Sequence, residues 1–259
     1  MALEVDLNCD MGESFGAYTL GLDEEAMPLV TSANVACGFH ASDPGTMRRT
    51  VRLARRHGVA VGAHPSFPDR VGFGRRALAA SPEEIRDDVT YQVGALWAFC
   101  RSEGVPLCHV KPHGALYNLA ATDARLADAV AGAVRAVDPG LVMVCLSRSE
   151  QVQAARRAGL RFVEEAFADR AYTRAGTLVP RGQPGAVLED PAEMAERVVR
   201  MVRQGTVAAL DGGEVALAPR TVCVHGDTPG AVAAIRAIRA RLEAEGIALR
   251  PFTAGGTGG

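Results

Sequence analysis

The 259-residue sequence predicts an α/β fold, a TIM-like (βα) barrel of about seven parallel strands. Three observations predict it. Short strand-like runs alternate with amphipathic helical stretches almost throughout, which implies parallel strands and right-handed crossovers. Most of those runs are apolar on both sides, as in sheets covered by helices. No internal repeat and no linker divides the chain, so residues 1–252 read as one domain, followed by a flexible glycine-rich tail, Thr253 to Gly259. A doubly wound open sheet shares this alternation. The length and the number of units favour the barrel.

The stretch Glu4 to Glu13 reads as a short first strand running into a glycine turn. Alternation puts Asp6, Asn8 and Asp10 on one side and Val5, Leu7 and Cys9 on the other. A short helix from Asp23 to Met27 is stopped by Pro28. Ser32 to Cys37 is the second strand. Asp43-Pro44 starts a helix with an N-cap acid and a proline at the first position, and Gly58 ends it. Val59 to Ala63 is the third strand, followed by a polar loop from Ser66 to Arg76. Ser81 and Glu84 form a capping box for a long helix closing near Gly104. Leu107 to Lys111 is the fourth strand, and Asp123 caps the next helix. Leu141 to Leu146 is the fifth strand, and a helix from about Glu150 stops at Gly159. Arg161 to Ala166 is the sixth strand, followed by a loop rich in glycine, proline and arginine from Ala171 to Val187. Asp190-Pro191 opens another helix. Val207 to Leu217 reads as a hairpin around Asp211-Gly212-Gly213. Thr221 to Val224 is the seventh strand, and a last helix runs from about Pro229 to Glu245.

Bulk properties exclude several classes. The formal net charge of -2 offers no surface for nucleic acid or for an anionic membrane. No apolar run approaches membrane-spanning length. The N-terminus lacks the basic and apolar parts of a signal peptide. The six cysteines show no C-x-x-C spacing, and several fall in apolar strands. Buried free thiols in a reducing cytoplasm are therefore expected.

The chemistry is expected at the C-terminal ends of the strands, which converge on one mouth in a parallel barrel. Asp6, Asn8, Asp10, His40, His64, Lys111, His113, Glu165, Asp169, His225 and Asp227 all lie on or just past a strand. Four of the six histidines (His40, His64, His113, His225) share that position, which chance placement explains poorly. Three acceptors on one strand face need partners, water or a cation; the bland alternative is an edge strand with a solvated face. His57 reads as a surface residue at a helix end, and His109 is placed away from the mouth. Aspartates with histidines suit a divalent metal, with Asp10, His40 and His64 as its ligands, or metal-free general-base catalysis. Lys111, Arg70, Arg75, Arg76, Arg170 and Arg181 suit a carboxylate or phosphate. There is no Walker-type phosphate loop, dinucleotide fingerprint or H-E-x-x-H.

Six blocks carry a resemblance: Asp6 to Glu13, Ser32 to His40, Gly62 to Ser66, Gly72 to Arg76, Val110 to Asn118, and Val224 to Asp227. In this order they resemble the signature blocks of the LamB/YcsF family, over Val5 to about Pro251. One departure is Ser42, where the family pattern has glycine. The resemblance implies a seven-stranded barrel similar to the glycoside hydrolase/deacetylase superfamily. It implies ATP-dependent opening of 5-oxo-L-proline to L-glutamate, with ATP as its Mg2+ complex. It also implies a cytoplasmic 5-oxoprolinase complex with two further subunits, B and C.

On that reading Asp6 or Asp10 is the general base, and His40 and His64 polarise the substrate or move protons. Lys111 stabilises developing negative charge. Asn8, Glu13, His113, Glu165, Arg170, His225 and Asp227 are expected to bind substrate. The competing readings are a metal-dependent deacetylase-like hydrolase and a substrate-binding subunit whose catalysis lies in its partners.

Overall fold

The seven apolar runs become parallel strands of one closed sheet. The computed structural model describes residues 3–227 and 230–252. Its strands are β1 (Glu4–Met11), β2 (Ser32–Ala36), β3 (Ala60–His64), β4 (Leu107–Val110), β5 (Val142–Leu146), β6 (Arg161–Phe167), β7 (Thr206–Ala208), β8 (Glu214–Ala216), β9 (Thr221–Val224) and β10 (Ala248–Leu249). Its helices are α1 (Asp23–Ala26), α2 (Pro44–His57), α3 (Pro82–Ser102), α4 (Gly114–Ala120), α5 (Ala124–Val137), α6 (Glu150–Arg157), α7 (Pro191–Gln204) and α8 (Ala231–Ala244).

Among the described residues the barrel order is β1-β2-β3-β4-β5-β6-β9, and β9 pairs back onto β1. The open-sheet alternative is thereby excluded. β1 is long because it closes the ring by stagger. Asp6 to Cys9 pair with β9, and Asn8 to Met11 pair with β2. Its first two residues also take β10 as a short extra strand. The predicted hairpin forms outside the barrel as antiparallel β7 and β8.

Outward side chains Leu7, Cys9, Val35, Val61, Val110 and Val222 join the apolar helix faces in one core. Val130 and Val134 of α5 and Ile235, Ile238 and Leu242 of α8 are fully buried in it. Each such side chain contributes roughly 1.5–3 kcal/mol by leaving water. The helices start where the sequence placed caps. Asp43 accepts from the Gly45 and Thr46 amides, and Ser81 with Glu84 makes the reciprocal capping box. Such caps are worth about 1 kcal/mol each.

Inside, the barrel is layered. Val142, Val144 and Val163 pack with Phe252 at one end. Polar side chains fill the middle and the mouth. Helix α1 ends at Ala26, short of Pro28 as expected, and Pro28 sits in a following 3-10 turn, Met27–Leu29, where it occupies a first-turn position that needs no amide. Two details differ from the sequence reading. Helix α4 and strand β10 were not foreseen. The expected tail from Thr253 and the expected helix start at Pro229 lie outside the described residues.

Candidate active site

Asp10 is the hub of the mouth. It ends the inward face of β1 and is almost fully buried. Its Oδ1 accepts from Asn34 Nδ2 at 2.9 Å and from Lys111 Nζ at 3.2 Å. Its Oδ2 lies 3.3 Å from His64 Nε2. Burial pushes the Asp10 carboxyl up, but His64, Lys111 and His225 outweigh it and hold the group well below the usual carboxylate range. Asp10 is therefore a carboxylate at neutral pH.

Lys111 follows β4 and reaches across the barrel. Its ammonium meets Asp10, Glu165 Oε1 at 2.9 Å, Asn8 Oδ1 at 3.3 Å and Cys223 Sγ at 3.0 Å. Burial disfavours its charge, but Asp10, Cys223 and Glu165 overcome this and hold it well above its usual range. The ammonium is thus committed to protein partners.

The histidines form a cluster. His64 ends β3, and its Nδ1 donates to the Lys111 carbonyl at 2.7 Å. His113 precedes α4, and its Nε2 donates to the Phe73 carbonyl at 2.9 Å. Phe73 adopts φ +54, which aims that carbonyl. His40 stacks on His113 at 3.9 Å between centroids. Gly74 makes this stacking possible, since a Cβ there would lie 2.9 Å from both His113 Cδ2 and His40 Cβ. His40 bridges Ser66 Oγ at 3.0 Å and Glu13 Oε1 at 3.1 Å. Burial, aided by the neighbouring histidines, holds His40 and His113 well below the usual imidazole range. Burial, with Asp10 and Asp227 nearby, pushes Glu13 well above its own.

Above these residues opens a cavity of about 350 Å³. Asp10, His64, Lys111, His113 and His225 line one side. Arg75, Arg170 and Arg181 line it as well, the last two from the arginine-rich loop after β6. Arg75 is paired with Asp227 at 2.7 Å. Arg170 is spent on the Ala186 and Val179 carbonyls, bracing its loop. Arg181 keeps a buried Nη2 that makes no hydrogen bond among the described residues. His225 is oriented by Asp169, 2.9 Å from its Nδ1.

Of the expected residues, Asp10, His64, Lys111, His113, Arg170 and His225 line the cavity, while Glu13 and His40 pack against His113 and Asp227 pairs with Arg75 at its edge. Asp6, Asn8 and Glu165 are different. They are buried below the cavity and do not line it. Asp6 is held by Thr31 and Ser32 at 2.6 Å and by Thr221, and burial pushes its carboxyl up to about 6. Asn8 and Glu165 brace Lys111 from beneath. His109 does not point away. It shares Lys111's face and contacts Asn34 Oδ1 at 2.8 Å inside the barrel.

Ser42 adopts φ +73, a conformation glycine holds without strain, which accounts for the glycine expected there. Sequence reasoning gave no role to Tyr117, whose hydroxyl donates to Glu165 Oε2 at 2.7 Å, or to Cys223 as a mouth residue. Cys223 lies on β9 two residues before His225, which follows the strand, and that spacing was the available signal. Cys9, Cys37, Cys100, Cys145 and Cys223 are buried free thiols.

Comparison with known proteins identifies the family and the fold. Residues 5–256 match the LamB/YcsF family. A 5-oxoprolinase A subunit from Thermus thermophilus is 57% identical over 250 residues, covering 96% of this chain and 100% of that one. The crystal structure of the lactam utilization protein from Thermus thermophilus superposes with a TM-score of 0.91 at 56% identity, covering 96% and 100% of the two chains. A GH113 β-1,4-mannanase, at TM-score 0.50 and 10% identity over 94% and 99% of the chains, shares the barrel fold alone. The chain belongs to the LamB/YcsF family.

Proposed function

We propose that this LamB/YcsF-family chain is the A subunit of a 5-oxoprolinase, opening the lactam of 5-oxo-L-proline to L-glutamate with hydrolysis of ATP. The full-length match to the Thermus A subunit carries the reading. The cavity suits it chemically, with a buried carboxylate on one side and, on its wall, an arginine whose Nη2 makes no hydrogen bond among the described residues.

A five-membered lactam is a resonance-stabilised amide and a poor electrophile. Transfer of the terminal phosphoryl group of ATP to the amide oxygen removes that resonance. Water then adds to the carbon, giving a proton to a base. The ring C–N bond breaks as the nitrogen is protonated, leaving an acyl phosphate. A second water releases phosphate and yields the carboxylate.

In this reading Asp10 accepts the proton from water. Lys111 keeps Asp10 ionised and does not itself touch the oxyanion, because its donors are already engaged. His64 and His113 carry protons between the base and the departing nitrogen. Arg181 takes the substrate carboxylate in a charge-assisted hydrogen bond. Glu13 and His40 hold the histidine cluster in place. The B and C subunits complete the complex, and the reaction belongs in the cytoplasm, where ATP and free thiols are at home.

The test is glutamate release from 5-oxoproline and ATP, with this chain alone and then with its B and C subunits. The reading expects release in the assembled complex. No release from a complex shown to be assembled contradicts it.

A further inference from the structure

We propose that Asp10, His64 and His113 form a binding site for one divalent transition-metal ion, with its remaining coordination positions open to the cavity; the ion occupies the lone pairs used in the proton transfers above, so the ion-bound and proton-transferring states of the site exclude each other. The ring protons have fixed places. His64 Nδ1 faces the Lys111 carbonyl and His113 Nε2 faces the Phe73 carbonyl. A carbonyl oxygen only accepts, so each ring carries its proton there. In the neutral rings, His64 Nε2 and His113 Nδ1 are then both lone pairs. Yet these two nitrogens face each other at 3.0 Å. Asp10 Oδ2, a third lone-pair atom, lies 3.3 Å from His64 Nε2. Glu13 Oε1 supplies no proton to this gap, since it lies 3.8 Å from His113 Nδ1 and is engaged by His40 Nε2.

Three acceptors aimed at one buried point repel one another unless a proton or a metal cation sits between them. The spacing suits a metal. Bonds of about 2.0–2.1 Å in tetrahedral array put ligand atoms about 3.3 Å apart. The three candidate atoms all lie within 4.8 Å of one another. Their supports are also of the kind metal ligands have. Both imidazoles donate their other N–H to a backbone carbonyl, and Asp10 is held through its other oxygen by Asn34 and Lys111. Two imidazoles and one carboxylate favour zinc, iron, cobalt or manganese over calcium or magnesium. This set replaces His40 of the sequence-based expectation with His113. It also differs from a second cluster across the mouth, Asp10 with Cys223 and His225.

The experiment is titration of the full-length, chelator-stripped chain with Co2+, read by calorimetry and visible absorption. No substrate is present, so the outcome is independent of the lactam reading. We expect one ion per chain, with ligand-field bands from nitrogen and oxygen donors and no thiolate-to-cobalt charge-transfer band. His64→Gln and His113→Gln should each weaken binding by more than the roughly 100-fold that losing a supporting partner costs. His225→Gln should leave it unchanged. Absence of saturable one-to-one binding by the unmodified chain overturns the proposal. So does a thiolate band, or loss in His225→Gln with retention in His64→Gln. Should the His64 or His113 variants fail to fold, the stoichiometry and spectrum of the unmodified chain decide.

Discussion

Lys111 Nζ lies 2.9 Å from Glu165 Oε1, a salt bridge strung across the inside of the barrel from the end of β4 to β6. The same ammonium holds Asp10 of β1. Both carboxylates are buried, so this one cation compensates two charges that water cannot reach. Lys111→Met should therefore destabilise the protein by about 3–5 kcal/mol, the cost of stranding a buried charge. Chemical denaturation of the two proteins measures it. The double variant Lys111→Met with Glu165→Gln should recover part of that loss, because one stranded charge is gone.

Arg181 lines the cavity, and its buried Nη2 makes no hydrogen bond among the described residues. Arg181→Met should raise KM for 5-oxoproline and leave kcat nearly unchanged. A charge-assisted hydrogen bond worth about 1.5–3 kcal/mol corresponds to a loss of roughly 10- to 100-fold in kcat/KM. Steady-state kinetics of the assembled complex, with ATP saturating, provides the test.

Stability should fall on the acid side, for a reason buried in the barrel. Burial, with Lys111 nearby, holds His109 at about 3 against an ordinary 6.5. Between those values the unfolded chain takes a proton that the folded chain refuses. Stability from this residue is thus lost as pH drops below 6.5, by about 1.4 kcal/mol per pH unit. His40 and His113, also depressed, act in the same direction. Asp6 acts oppositely. Its folded carboxyl, at about 6, keeps a proton that the unfolded chain loses above 3.8, so it favours folding as pH falls between the two. Urea unfolding at pH 7 and pH 5 should show a shallower acid loss in His109→Gln than in the unmodified protein. It should show a steeper one in Asp6→Asn.

The barrel and its mouth were legible because both rest on period-two alternation. Asp6, Asn8 and Asp10 do share a face, and the histidines after β3 and β9 do reach the mouth. Depth was not legible. Alternation gives the face but not the level, and Asp6 stands four residues, roughly 13 Å of strand rise, behind Asp10. It ends up as a buried structural acid. His109 was misplaced because its ring needs a hole, and the hole belongs to a different strand. A Cβ at Gly62 would fall 2.0 Å from His109 Nε2, so only glycine there lets the ring lie inside. Helix α4 went unseen because it starts directly at the mouth, with no side-chain cap on His113 to announce it. Lys111's role also changed, since nothing in the sequence says that Glu165 and Cys223 would claim its donors.

The proposed mechanism rests above all on Asp10 serving the chemical step. The direct measurement is glutamate release by the assembled complex carrying Asp10→Asn, with folding verified by its thermal transition. Asparagine keeps the shape and the oxygen but cannot take a proton, so release should fall by about 100- to 10,000-fold, the range general-base catalysis supplies. Release at the unmodified rate would remove Asp10 from the reaction and contradict its assignment as the base.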